Sequence, residues 1–102
     1  TLVIPISEVD RWTDLTVEVA SHCLTVAHAL GRAQMAVFSP DRIGLLVAGF
    51  EVAHTHLHVV PIDHMGHLDF ASANLDASPS ELDVVADELR IALTAAGYDT
   101  VV

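Results

Sequence analysis

The stretch His54-Thr55-His56-Leu57-His58-Val59-Val60-Pro61 decides how this chain is read. Side chains of an extended strand alternate between its faces, so the three imidazoles share one side while Thr55, Leu57 and Val59 take the other. Successive histidines then lie about 6–7 Å apart. Apolar residues in the alternate slots predict a half-buried strand, and Pro61 stops it. Imidazoles titrate near neutral pH, so such a row gathers nucleophiles and proton donors in one place.

Immediately upstream, Ile43 to Val47 is a continuous apolar run of strand length. Gly49-Phe50-Glu51 reads as a short turn that joins it to the histidine strand as a hairpin. A further short strand, Leu2-Val3-Ile4, ends at Pro5. Between them Thr13 is the expected cap of a helix, with Trp12 and Val17 as a hydrophobic staple. Leu15, Val19, Cys23, Val26 and Leu30 recur every three or four residues, and Ala33 and Val37 carry the period past Gly31 to Phe38. A break at Gly31 followed by a strand over residues 34–38 is the alternative. Ser39-Pro40-Asp41 makes a turn.

Downstream of Pro61 a polar loop reaches Ser78, where punctuation for a second helix is dense. Ser78 caps it, Pro79 takes the first position and Glu81 completes a capping box. Leu82, Val85, Leu89, Ala92 and Leu93 are the expected buried stripe, and Gly97 ends it. The sum is one α+β domain over residues 1–102, an antiparallel sheet with two helices.

Composition narrows the function. Fourteen acids, four arginines and no lysine leave a net charge of −10, which argues against a nucleic-acid polymer or an anionic membrane as partner. A small anionic ligand stays compatible, because donors gathered in one cleft act against the global field. No apolar run approaches the roughly 20 residues that span a bilayer. The single cysteine, Cys23, forms no intrachain disulfide and suits a reducing cytoplasm.

The histidine run resembles the signature of the histidine triad (HIT) superfamily, His-φ-His-φ-His-φ-φ with φ apolar. Leu57, Val59 and Val60 fill apolar slots, and only Thr55 is polar. The opening Thr1-Leu2-Val3-Ile4-Pro5 and the approach from Gly49 to Val52 are similar to this family as well. The resemblance implies a meander sheet with a long helix, N-terminal strands missing ahead of Thr1, and a homodimer. It also implies hydrolysis at the α-phosphate of a purine nucleotide or nucleotide conjugate. In that chemistry His56 attacks phosphorus and forms a nucleotidyl-histidine, His58 contacts the phosphate and delivers a proton, and His54 supports them by hydrogen bonding. No metal or other cofactor is required. A third histidine in place of glutamine favours hydrolysis over uridylyl transfer. Two positions depart from the family: Phe50 stands where many members carry glutamine, and the strand before it has no asparagine. Backbone N–H groups near Gly49 are the expected substitute for binding substrate.

Three other readings compete. A solvent-facing strand that happens to carry histidines accounts poorly for three in phase. A non-catalytic nucleotide-binding module fits the loss of a polar side chain at Phe50. A metal site would recruit His54 and His56 with His64, His67, Asp63 or Asp69, although histidines 6–7 Å apart converge poorly on one ion with Zn–N bonds near 2.0 Å. His22 and His28 are expected to be exposed helix residues, and Arg42 either steers a phosphate or pairs with Asp41.

Overall fold

Alternating burial along residues 55–59 sets the architecture: Thr55, Leu57 and Val59 are buried while His54, His56 and His58 stay partly open. In the computed structural model, which describes residues 1–101, the strand β3 (Leu57–Ile62) is the middle of a three-stranded antiparallel sheet. Strand β2 (Arg42–Leu46) pairs along one side of it, from Arg42 opposite Ile62 to Leu46 opposite His58. Strand β1 (Leu2–Val3) takes the other side, with Leu2 opposite His58. The order β1-β3-β2 keeps the consecutive step from β2 to β3 and puts the first strand across β3.

One face of the sheet packs on the helix α1 (Val17–Phe38), which runs unbroken through Gly31. Gly31 lets the helix lie close on β2, since a Cβ there would come 3.3 Å from Ile43 Cγ2 and press that side chain aside. Val3, Cys23, Ala27, Leu57 and Val59 form the core, flanked by Val19, Leu30, Ile43 and Val47. The expected helix stripe needs adjustment at Val26, which is exposed, whereas small residues at Ala29 and Ala33 are buried. The reason is a second partner: the helix α2 (Pro79–Ala95) lies against α1, and short side chains let the two backbones approach. Within α2 only Leu89 of the expected stripe is fully buried; Leu82 and Val85 are exposed.

The helix starts were unequally legible. Ser78 accepts from the Glu81 backbone and the Glu81 carboxylate accepts from the Ser78 backbone, so the capping box forms as expected. The first helix starts later than Thr13 implies. Residues Trp12–Asp14 make a short 3-10 turn, and Thr16 caps α1 by accepting from the Val19 N–H at 3.2 Å. Thr16 precedes Val17-Glu18-Val19, so its hydroxyl meets the free N–H groups of the true first turn.

Gln34, read as a strand residue in the alternative, is a buried helix residue instead. Its amide donates to the Val59 carbonyl at 3.0 Å and to the Thr1 hydroxyl at 3.3 Å, tying α1 to the β1–β3 ladder.

Candidate active site

The three histidines come from an approach segment and one strand rather than from a single strand. β3 begins at Leu57, so only His58 lies in the ladder; His54 and His56 precede it. The expected tight hairpin turn is a longer connection, residues 47–56, in which Gly49 adopts a φ of +84°. This approach segment bonds to the chain after β1 instead of to β2. The His54 Nε2–H donates to the Pro5 carbonyl at 2.8 Å, and the Thr55 N–H donates to the Val9 carbonyl at 2.8 Å.

Thr55, the one polar residue in an apolar slot, is only 2% exposed. Its hydroxyl donates to the Val9 carbonyl at 2.8 Å, with the Asp10 carbonyl 3.3 Å away. A buried hydroxyl without such a partner would be costly, so the departure from the apolar pattern is matched by an acceptor on the neighbouring loop.

His56 carries the feature with the most chemical content. Its Nδ1 lies 2.7 Å from the His54 carbonyl oxygen. A carbonyl only accepts, so Nδ1 carries a proton, and in the neutral ring the Nε2 lone pair is free. The rings of His56 and His58 meet edge to face with centroids 5.0 Å apart, closer than extended-strand spacing implies. Burial, and next the neighbouring His56, lower the His58 pKa, favouring its neutral form. His54 supports the pair through its backbone carbonyl as well as by anchoring its own ring to Pro5.

The second wall comes from the loop after β3, where sequence reasoning assigned only alternative metal ligands. Residues Met65–Leu68 and Phe70–Ser72 form two short 3-10 turns. Asp63 anchors their start: its carboxylate accepts from the Asp41 N–H at 2.9 Å and its N–H donates to His67 Nδ1 at 3.0 Å. Asp69 caps the second turn by accepting from the Ala71 N–H at 3.0 Å. The Phe70 ring then sits 5.0 Å from the His58 ring. Leu68 settles over Gly44, where a Cβ would fall 2.6 Å from Leu68 Cδ2. Isolated apolar residues at 68 and 70 in a polar loop were the available signal for this wall, and it was missed.

Gly49 and Phe50 belong to the segment that leads into the histidines. The nearest atom to a Cβ built on Gly49 is the Asp10 carbonyl oxygen at 4.0 Å, which puts it beside the loop before α1, and Phe50 is 99% exposed. Arg42 sits opposite Ile62, four positions along β2 from the Leu46–His58 pair, and so is remote from the imidazoles. His64 stacks on His67 with centroids 3.9 Å apart. Among the described residues, no three His, Cys, Asp or Glu side chains converge to hold a metal ion. None of their helices is long and apolar enough to cross a membrane.

The arrangement thus sets three imidazoles along β3 and its approach, in the order the signature implies. Residues 1–65, which hold β1, α1, β2 and all three histidines, match the family model for the HIT domain, and the chain belongs to that family.

Proposed function

We propose that this protein is a nucleotide hydrolase that works by nucleotidyl transfer to His56. The observation that carries the reading is the 2.7 Å contact from His56 Nδ1 to the His54 carbonyl, which makes Nε2 the lone-pair nitrogen of the neutral ring. Nε2 attacks the α-phosphorus of a purine nucleoside phosphoramidate or related conjugate. The new N–P bond forms as the bond to the leaving group breaks, and the leaving atom takes the proton that His58 delivers. Water then attacks the nucleotidyl-histidine, releasing a nucleoside monophosphate and restoring His56. Delivery of that proton needs the charged form of His58, which a bound phosphate anion favours against the burial that lowers its pKa.

The test is release of AMP from adenosine 5′-phosphoramidate by the full chain, with His56→Ala alongside and a chelator in a parallel sample. Turnover that survives the chelator and vanishes in the variant supports the reading. Well-folded wild type that binds AMP without turnover points to a nucleotide-binding module, for which exposed Phe50 in place of a polar side chain is the supporting observation.

In this reading the protein works in the cytoplasm as a homodimer. Among the described residues the outer edge of β2 has no strand neighbour, and exposed Leu24, Met35 and Leu45 flank an apolar groove between α1 and β2. Each copy carries a charge of −10, so association should strengthen with salt as repulsion is screened. Sedimentation of wild type against Met35→Glu checks this, and a monomer at all salt concentrations would defeat it.

A further inference from the structure

The cleft between the histidine face of the sheet and the 65–73 loop has a volume of about 360 Å³ and borders His58. For scale, a cavity of roughly 150 Å³ admits benzene. Leu46, Val60, Leu68 and Phe70 supply most of its wall, with His58, His67 and Asp69 as polar members. Much of that wall comes from residues beyond position 65 and so lies outside the segment that matches the HIT domain.

Its charge is as informative as its shape. No arginine lines it, and the chain has no lysine. Arg42 lies at the far end of the β2–β3 ladder, roughly 13 Å from the Leu46–His58 pair at about 3.3 Å per residue. Arg11 is engaged with Asp14. Asp69 supplies the one carboxylate among its described lining residues, which also include the His67 imidazole. A polyphosphate leaving group would meet apolar carbon and a like charge there, whereas an apolar amine would meet matching surface and become an ammonium beside a carboxylate.

We infer that this cleft holds the leaving group, and that its preferred occupant is an apolar, preferably aromatic, amine released from a nucleoside phosphoramidate. The inference rests on the nucleotidyl-transfer reading. His56 Nε2 forms a bond to phosphorus, the P–N electron pair stays on the departing nitrogen, and that nitrogen takes its proton from the His58 side. Phe70 and Leu68 act as specificity-determining residues by covering the amine's apolar part.

The experiment compares kcat/KM of the full chain for AMP joined through nitrogen to 2-phenylethylamine, for AMP joined to ethylamine, and for a diadenosine tetraphosphate. The first two differ only in the ring. The ring should raise kcat/KM roughly tenfold or more, the scale of a well-filled apolar subsite. Phe70→Ala and Leu68→Ala should each shrink that ratio several-fold, a change that a general loss of folded enzyme would not produce. Turnover of the ethylamine conjugate with no gain from the ring, or preference for the tetraphosphate, would overturn the cleft assignment while leaving nucleotidyl transfer intact. No turnover of any of the three by folded protein would refute nucleotidyl transfer itself, and this assignment with it.

Discussion

The two faces of β3 are covered by opposite means. On one, Leu57 and Val59 are sealed by α1 through apolar contact, and Val59 is left 1% exposed. On the other, His58 and Val60 border a cleft whose cover is a loop held by individual hydrogen bonds from Asp63, His67 and Asp69. The first face is a continuous area of buried carbon, in which each methyl group adds stability. The second is held at a few points and stays open between them, which is what a binding cleft needs. One strand therefore separates the residues that hold the fold from those that border the open cleft.

That division can be broken most severely at His56. His56→Ala should lower AMP release from adenosine 5′-phosphoramidate by more than about a thousandfold, because the bond-forming nitrogen is lost. Its unfolding midpoint should stay close to wild type, and turnover at the normal rate would remove His56 from the nucleophile's role.

Next in size is a pair across the strand. Val59→Ala empties space in the core and should cost about 2 kcal/mol, whereas Val60→Ala on the cleft face should cost under about 1 kcal/mol. Urea denaturation of both variants measures the difference. Equal losses would mean that the loop cover packs as tightly as α1 does.

Thr55→Val restores the apolar pattern of the signature yet should destabilise the protein by about 1 kcal/mol, since the Thr55 hydroxyl bond is lost. For a domain of this size that is a fall in Tm of about 5 °C, readable by calorimetry. A stabilised variant would show that the hydroxyl's bond to Val9 adds nothing.

The finest probe is the titration of His58. Burial lowers its pKa first, and its neighbour His56 adds to the effect, so histidine NMR should find it below the ordinary value of about 6.5. Phe70→Ala readmits water to the ring and should move the midpoint upward. With a lowered native pKa, the unfolded chain binds more protons between that value and about 6.5. The stabilisation from this group is therefore fully present above that window and is lost as pH falls through it. A His58 that titrates at or above 6.5, unmoved by Phe70→Ala, would mean that the loop does not shield it.

The alternating pattern from Thr55 to Val59 could be read directly, because a period of two has one physical meaning in an extended chain. The Ser78-Pro79-Ser80-Glu81 start of α2 was equally plain, since its partners are three residues apart. The long helix through Gly31 followed from its periodicity. Its cap did not, because Thr13 and Thr16 both offer a hydroxyl and only the path of the chain chooses between them.

What the sequence by itself determined was the α+β class, the identity of the three histidines and the alternation of buried and open residues from Thr55 to Val59. Those depend on spacing along the chain. Tertiary structure alone decided that His54 and His56 lie outside the ladder, because their bonds run to Pro5 and within the approach segment rather than to β2. It also decided which His56 nitrogen meets the His54 carbonyl and that Phe70 reaches His58. A hydrogen-bond acceptor or a covering ring from a distant segment leaves no periodic mark beside its partner, so only folding brings the two together.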